Sequence, residues 1–481
     1  MNLKVGSSIS LMAALALSTT SCATVSEQQA EKTAEIQKPN IIYILADDMG
    51  YGDLGSYGQT KIKTPNLDQM ASEGIRFTQH YAGSTVCGPS RASLLTGLHS
   101  GNSPVRGNPT WTDNRKPYDL QDSDITLGEM LKTAGYQTAV IGKWGMTEDR
   151  SFPEDKINPS MPNQQGFDYF FGFKYHHDAH YYYWDKLWEN NSPYWLKEND
   201  YMNNKGIYTH DLFSNKAIDY IKQSDKTKPF FLYLAYTIPH LPMTVPEDSK
   251  AQYKDLGWPK RKMNTQGHYR NDKEGNVTYA GMVSRMDRDI GALLKLLKQQ
   301  GLDENTLVIF ASDNGHHYDN GFFDSNGPFR GKKRDLYEGG IRVPFIAKWA
   351  NKIKPNTESD HISAMWDMMP TFCELSGADC PKTDGVSLLP TLLDNRKQEQ
   401  HDFLYWEFNE RQGPIQAVRH QNWKLVRFYE KPAELYDLST DVGEKNDVAA
   451  KYPETVKKIT KMMDGARSPH SQFSLKPLIK Q

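Results

Sequence analysis

Apolar residues along this chain gather into short runs that stop on charge. Residues 40–46 (NIIYILA) are uninterrupted and rich in β-branched side chains, and Asp47-Asp48 follow at once. A run of that length without alternation predicts a strand buried on both faces, as in a parallel sheet. Residues 136–141, 229–236 (PFFLYLAY) and 306–311 (TLVIFA) repeat the pattern, the last followed by Ser312-Asp313-Asn314. Between these runs the spacing turns helical. Thr64-Pro65 predicts a capped helix start with Pro at the first position; Leu67, Met70 and Ala71 form the apolar face and Gly74 ends it. Residues 126–134 predict a second amphipathic helix ended by Gly135. From Tyr279 onward, Met282, Val283, Met286, Ile290, Leu293, Leu294 and Leu297 share one helical face.

Strands alternating with helices indicate an α/β fold with a large, mostly parallel sheet flanked by helices, whose strand carboxyl ends carry the chemistry. Three predicted strands end on polar groups: Asp47-Asp48, Lys143 and Asp313-Asn314. After about residue 395 the elements shorten. Residues 404–408, 416–419, 423–428 and 434–438 read as short strands between turns, with a helix near 453–463. These features predict a main domain over 38–395 and a smaller antiparallel subdomain with a C-terminal helix over 396–481. At about 150 residues per domain, 481 residues allow roughly two to four domains.

The amino-terminal end has a different character. A positive start ending at Lys4, an apolar run over 9–17 and small polar residues up to Ala23 have the shape of a secretory signal, too short to span a bilayer. Cys22 matches a bacterial lipoprotein cleavage point where the Cys is lipidated, although the usual Leu three residues before it is Thr19. Cleavage after Ala23 is the competing reading. Residues 1–23 are thus expected to be a signal peptide and 24–37 a polar tether. The expected product is exported, a periplasmic or outer-membrane lipoprotein of a bacterium, with membrane attachment by lipid only. Export permits disulfides. Cys373 and Cys380 could close a small loop or remain buried thiols, and Cys87 has no evident partner.

Charge adds an exclusion. Lys+Arg number 57 and Asp+Glu 59, a formal net charge of −2, which argues against a nucleic-acid binder driven by bulk positive charge. Aromatic residues make up 11%, with 26 Tyr and 10 Trp; these suit either the flat faces of sugars or ordinary packing.

The strongest local signal is Cys87-Gly88-Pro89-Ser90-Arg91-Ala92-Ser93-Leu94-Leu95-Thr96-Gly97. It resembles the Cys-x-Pro-Ser-Arg signature of the type I, formylglycine-dependent sulfatases, arylsulfatase-like members of the alkaline-phosphatase superfamily. Asp47-Asp48, Gly142-Lys143-Trp144, Thr237-Ile238-Pro239-His240, Ser312-Asp313-Asn314-Gly315, Gly331-Lys332-Lys333 and Tyr337-Glu338-Gly339-Gly340 follow the family's order. Asn422-Trp423-Lys424-Leu425 and Glu434-Leu435-Tyr436-Asp437-Leu438 also fit, so the resemblance runs from about residue 38 to about 465.

The resemblance implies that a formylglycine-generating maturation enzyme oxidises Cys87 to an aldehyde. It also implies one Ca²⁺ ion held by Asp47, Asp48, residue 87, Asp313 and Asn314. On their own chemistry, those oxygen donors from two strand ends suit Ca²⁺, and no His/Cys cluster competes for zinc. A hydrated aldehyde carries two hydroxyls on one carbon; by resemblance, one attacks sulfur and the other expels the sulfate. Arg91, Lys143 and Lys333 supply a positive clamp for the sulfate oxygens. His240 is the candidate general acid for the leaving alcohol, with Lys333 beside it. Lys332 reads as a solvated surface residue.

One departure stands out. Many family members read Gly-Lys-Trp-His, with the His bonded to the formylglycine, whereas position 145 here is Gly. His316, His317 and His180 are candidates to replace it. Tyr175-His176-His177-Asp178-Ala179-His180-Tyr181-Tyr182-Tyr183-Trp184 reads either as a pocket wall for a sugar ring or as a Tyr-rich structural loop, with His180 the expected ligand contact. His317, Asp324, Asn326 and Arg330 are expected to read hydroxyls around the scissile group, and Trp406-Glu407 to close the site.

The activity so implied is hydrolysis of sulfate monoesters on a sulfated oligo- or polysaccharide, with a galactose sulfate of a carrageenan-like galactan favoured. A glycosaminoglycan sulfatase, a phosphomono- or diesterase of the same superfamily, and a non-catalytic glycan-binding lipoprotein are the alternatives. No nucleic-acid partner is expected.

Overall fold

A computed structural model describes residues 38–478 apart from 154, 155, 262, 267, 268, 411 and 412. The predicted signal, tether and lipidation point therefore lie outside the described residues. Among the described residues no helix is long and apolar enough to cross a membrane.

The main body is built on a ten-stranded sheet. Its order is Thr357–Ser359, Ile75–Phe77, Phe345–Lys348, Thr306–Ser312, Asn40–Ala46, Phe230–Ala235, Gln137–Lys143, Tyr169–Phe173, Lys186–Glu189 and Ser192–Trp195. The five strands from Thr306–Ser312 to Tyr169–Phe173 are parallel, and Phe345–Lys348 and Lys186–Glu189 join their flanks antiparallel. The sheet is thus mostly parallel, as expected.

Every residue of Asn40–Ala46 is buried, and successive side chains feed opposite faces. Ile42 and Ile44 join a core with Leu232, Val308, Phe310 and the helix Gly275–Gln299, which contributes Met282, Met286 and Ile290. Ile41, Tyr43 and Leu45 join a second core with Val140, Phe231 and the helices Cys87–Thr96, Leu127–Thr133 and Met368–Ser376. Helices therefore cover both faces, which is why the central strands carry no polar alternation.

Register levels the carboxyl ends of the central strands. Leu45 stands opposite both Ala235 and Ala311, Ala46 opposite Ser312, and Gly142 opposite Ala235. Gly142 has φ +113°, and a Cβ there would lie 1.9 Å from the Ala235 carbonyl oxygen. Only glycine lets Lys143 leave the sheet at this level.

Helix starts show one agreement and one difference. Thr126 caps Leu127–Thr133 through a reciprocal pair with Glu129. Thr64 occupies the cap position of Pro65–Ser72 but makes no cap bond to it; its hydroxyl accepts from the Gly55 N–H at 2.9 Å and bonds Asp68.

His80–Tyr81 and Ser363–Ala364 pair as a short two-stranded parallel sheet, and a four-stranded antiparallel sheet comprises Leu404–Glu410, Gly413–His420, Trp423–Phe428 and Glu434–Asp437, with the helix Pro453–Gly465 packed on it. A disulfide joins Cys373 and Cys380. A buried ion network ties the small sheet to the main body: Lys424 Nζ lies 2.9 Å from Glu338 and 3.0 Å from Glu444. Tyr81 and Arg342 also bond Glu338. Despite its burial, Glu338 is held down to about 2 by Lys424, Arg342 and Arg419.

Removing one partner of a buried ion network leaves an uncompensated charge. Lys424→Met is therefore expected to lower unfolding free energy by about 3–5 kcal/mol in urea titrations; a loss under ~1 kcal/mol would contradict this role for the network.

Candidate active site

The levelled strand ends deliver the groups that form the site. Asn40–Ala46 runs directly into Asp47 and Asp48, Thr306–Ser312 into Asp313 and Asn314, and Gln137–Lys143 ends on Lys143. The turn after Phe230–Ala235 carries His240. Asp48 is held at φ +63°, a conformation unfavourable for a residue with a Cβ. Its amide donates to Asp313 Oδ1 at 3.1 Å, which accounts for part of that cost.

Cys87 opens the fully buried helix Cys87–Thr96. Its Sγ lies 3.1 Å from Asp47 Oδ1, and Lys333 Nζ lies 3.3 Å from the same sulfur. Arg91, one turn on, forks onto Asp313 Oδ2 with Nε at 3.1 Å and Nη2 at 2.8 Å, and its Nη1 donates to the Lys143 carbonyl at 3.0 Å. Lys143 Nζ donates to Asp47 Oδ2 at 2.7 Å. Lys333 Nζ reaches both oxygens of Asp48, at 2.6 and 2.8 Å.

Three carboxylates thus face three cations out of water. Burial acts to raise the carboxyl pKa values, yet Lys143, His240 and Arg91 hold Asp47 well below the usual range, and Lys333 with His240 does the same for Asp48. Asp313 goes the other way, pushed up to about 7 by burial and by Asp47. Burial, Asp313 and Asp47 push the Cys87 thiol well above the usual thiol range.

Ligand atoms of Asp47, Asp48, Cys87 and His240 lie within 4.8 Å of one another, so a thiol and an imidazole do stand beside the carboxylates, contrary to the expectation that no His/Cys group competes for zinc. The oxygen donors around them suit a hard divalent cation. Asn314 Nδ2 donates to Asp48 Oδ1 at 2.7 Å, whereas its buried Oδ1 has no hydrogen-bond partner. An orphaned carboxamide oxygen beside two carboxylates is the coordination Ca²⁺ favours.

His240 stacks on His180, with ring centroids 4.8 Å apart and planes 3° from parallel. Its Nε2 lies 3.4 Å from Asp48 Oδ2, and its Nδ1 contacts the Leu241 carbonyl. Burial pushes its pKa down to about 4. A neutral ring donating Nδ1–H to that carbonyl has a bare Nε2, which accepts rather than donates. Lys333 is the opposite case: against its burial, Asp48 holds it above the usual lysine range and fully protonated.

The cluster brings together all nine residues expected to bind metal or act in catalysis. The expected substrate contacts divide. His180 stacks in the site, and His317 Nδ1 lies 3.7 Å from Asp48 Oδ2. Asn326 and Arg330 are bonded elsewhere: Asn326 to the Phe329 carbonyl, Arg330 to Tyr436 at 3.0 Å and the Glu444 carbonyl at 2.9 Å. Asp324 turns the chain at φ +53°, its carbonyl accepting from the Gly327 amide at 2.7 Å. None of the three lines either cavity beside the cluster. Trp406 does not close the site; it is buried, donating to the Ala82 carbonyl at 2.9 Å. Glu407 pairs with Arg106 and Arg467.

Position 145 has a different answer from the three expected. Gly145 has φ +71°, and a Cβ there would lie 3.6 Å from His176 Nδ1 and 3.8 Å from Lys143 Cε. His176 therefore fills the space beside Lys143 into which a side chain at 145 would project. Its buried Nδ1 has no hydrogen-bond partner, and burial with Lys143 drives its pKa well down, keeping it neutral. The signal lay in the histidine-rich loop, but sequence spacing alone does not show which ring turns inward.

Comparison with known proteins agrees with this geometry. The family profile described as Sulfatase matches residues 39–378, and one described as N-sulphoglucosamine sulphohydrolase, C-terminal, matches 323–468. An N-acetylgalactosamine-6-O-sulfatase of Bacteroides thetaiotaomicron is 30% identical, covering 90% of this chain and 94% of its own. The human N-acetylgalactosamine-6-sulfatase is 31% identical, covering 89% of this chain and 85% of its own. The solved structure of Ps i-CgsB in complex with k-i-k-neocarrahexaose is 27% identical, with TM-score 0.74, covering 91% of this chain and 95% of its own.

The buried, raised thiol has a direct consequence, because the thiolate is the reactive form. In unconverted protein at pH 8, Cys87 is expected to resist iodoacetamide while folded and to react once urea unfolds the chain. Alkylation in the native state at the rate of a free thiol, read by peptide mass spectrometry, would contradict the geometry.

Proposed function

The chain belongs to the sulfatase family and is a sulfuric ester hydrolase; on that premise we propose that it removes sulfate from a sulfated carbohydrate. The observation that carries this is Cys87 at a helix start, between the Asp47 carboxylate and the Lys333 ammonium. Membership of this family sets the phosphoesterase alternative aside.

In this reading Cys87 is matured to formylglycine, which would supply a hydrated aldehyde as nucleophile, and Asp47, Asp48, residue 87, Asp313 and Asn314 would hold one Ca²⁺, which would supply positive charge to the sulfate. Arg91 and Lys143 hold the carboxylates in place, and Lys143 and Lys333 present positive charge to the sulfate oxygens. Lys333, protonated and adjacent to residue 87, is the group ready to donate to the leaving alcohol. His240 can donate from Nε2 only after gaining a proton, which an incoming sulfate charge favours. His176, neutral and with a bare or freely protonated Nδ1, is the imidazole available near Lys143 for taking a proton from the nucleophile.

For the substrate we favour a galactose sulfate of a carrageenan-like galactan, with an N-acetylgalactosamine sulfate of a glycosaminoglycan next. A neighbour bound to a neocarrahexaose supports the first, and the relatives named N-acetylgalactosamine-6-sulfatase support the second. Export, with lipid on Cys22, rests on the amino-terminal sequence; the aldehyde at residue 87 requires a maturation enzyme as partner.

Two outcomes are expected. Cys87→Ser, made in a host that modifies only Cys, folds but releases no sulfate; undiminished release would sink the formylglycine mechanism. Dialysis against a chelator lowers Tm, and adding back Ca²⁺ at a hundredfold its Kd restores about 2.7 kcal/mol of stability. A Tm indifferent to both treatments would remove the ion from the account.

A further inference from the structure

Two cavities reach residues of the site, and they share one side chain. The larger, of about 1070 Å³, is lined by His176 and His180 from the site and by Trp111 and Trp184. The smaller, of about 420 Å³, is lined by His317 and Lys333 from the site. Arg334 lines both.

The two differ in charge. The smaller carries Arg261, Lys332, Lys333 and Arg334 against the lining carboxylate of Asp335, with Asp48 behind Lys333 and Glu410 behind Arg334, which leaves an excess of positive charge on the wall. In the larger, Lys116, Arg150 and Arg334 meet Glu148, Asp149 and Asp178. Burial pushes Glu148 up to about 8, and Arg150 pairs with Asp178 at 2.6 Å. The larger cavity is therefore nearly neutral and partly aromatic, which suits sugar faces, while the smaller is a basic recess.

Arg334 is held between them in an unusual way. Its φ of +78° places a bulky residue in the left-handed region, a conformation that persists only where surrounding structure enforces it. Its amide donates to the Thr85 carbonyl at 3.1 Å. Its Nε forms an ion pair with the buried carboxylate of Glu410, Oε2 at 3.4 Å without hydrogen-bond geometry, and 22% of the side chain stays exposed. With Nε held against Glu410, the planar fork still offers Nη donors to a planar or tetrahedral anion.

We propose that a sulfated saccharide chain lies across the reaction centre, one sugar on the aromatic wall of the larger cavity, with an anionic substituent of the neighbouring sugar bound by Arg334 and the basic recess. The enzyme then desulfates sugars inside a chain as well as at its end. This rests on the sulfatase reading and adds the chain's path and its second charge. The second anion can be a sulfate or a uronate carboxylate, since both present oxygens to a guanidinium.

The test uses converted enzyme and sulfated galactosides of four kinds: a monosaccharide, and disaccharides whose neighbouring sugar is neutral, sulfated or a uronate. Wild type is expected to favour the anionic neighbours, and whichever of sulfate and carboxylate gives the higher kcat/KM identifies the second group. Arg334→Gln is expected to lower kcat/KM on that disaccharide about tenfold to a hundredfold, the scale of a charged hydrogen bond. On the monosaccharide and the neutral disaccharide the variant should stay within about twofold. Arg334→Lys, which keeps charge but not the fork, should fall between.

Equal losses on all substrates would make Arg334 merely structural and overturn the proposal, as would no loss on any. On intact polymer, the initial rate at fixed total sulfate is expected not to depend on chain length; a rate falling with the number of chain ends overturns the internal mode. If wild type releases sulfate from none of the four, the galactose-sulfate reading under the proposed function fails, a result distinct from failure of the Arg334 assignment.

Discussion

Three carboxylates, Asp47, Asp48 and Asp313, and three cations, Arg91, Lys143 and Lys333, are buried together at the ends of parallel strands, and neither set is stable there alone. Removing one partner from such a cluster strands a charge in low dielectric, at a cost of about 3–5 kcal/mol. The near-neutral total charge of the chain conceals this sorting: negative groups gather at the strand ends, and positive groups surround them.

The fold serves that cluster. A parallel sheet buried on both faces fixes its strand ends to one level, so groups hundreds of residues apart converge without depending on flexible loops. The loop bearing Lys333 is less well placed, because it follows the sheet by about twenty residues. Its continuation, Tyr337-Glu338-Gly339-Gly340, is fastened by Lys424 of the small antiparallel sheet, and Arg330 just before it bonds Tyr436 and the Glu444 carbonyl. The C-terminal sheet thus anchors the loop that carries Lys333.

Much of this was legible in the sequence. The central strands were legible as uninterrupted apolar runs, whereas Asp47, Asp48, Cys87, Arg91, Lys143, His240 and Lys333 were legible through the resemblance of long motifs to the sulfatase family. The residues that the structure places away from the cluster share a cause. Asp324, Asn326 and Arg330 lie between site residues in the chain, but an irregular loop turns them to local and C-terminal partners. Trp406-Glu407 belong to an internal seam, not a rim. His176 was hidden because three histidines in one loop look alike until the backbone places them; the glycine at 145 marked the gap without saying which ring fills it. Short strands such as Tyr169–Phe173 and the Pro-bearing edge strand Ser192–Trp195 lacked the length or pattern that would announce them.

The central claim is that the reacting group of this buried cluster is an aldehyde made from Cys87. It is tested most directly by preparing enzyme at several degrees of conversion, measuring the converted fraction of the residue-87 peptide by mass spectrometry, and measuring sulfate release from the preferred saccharide on the same samples. The expected rate is proportional to the converted fraction and passes through zero where only cysteine is present. Sulfate release that persists in wholly unconverted protein would contradict it.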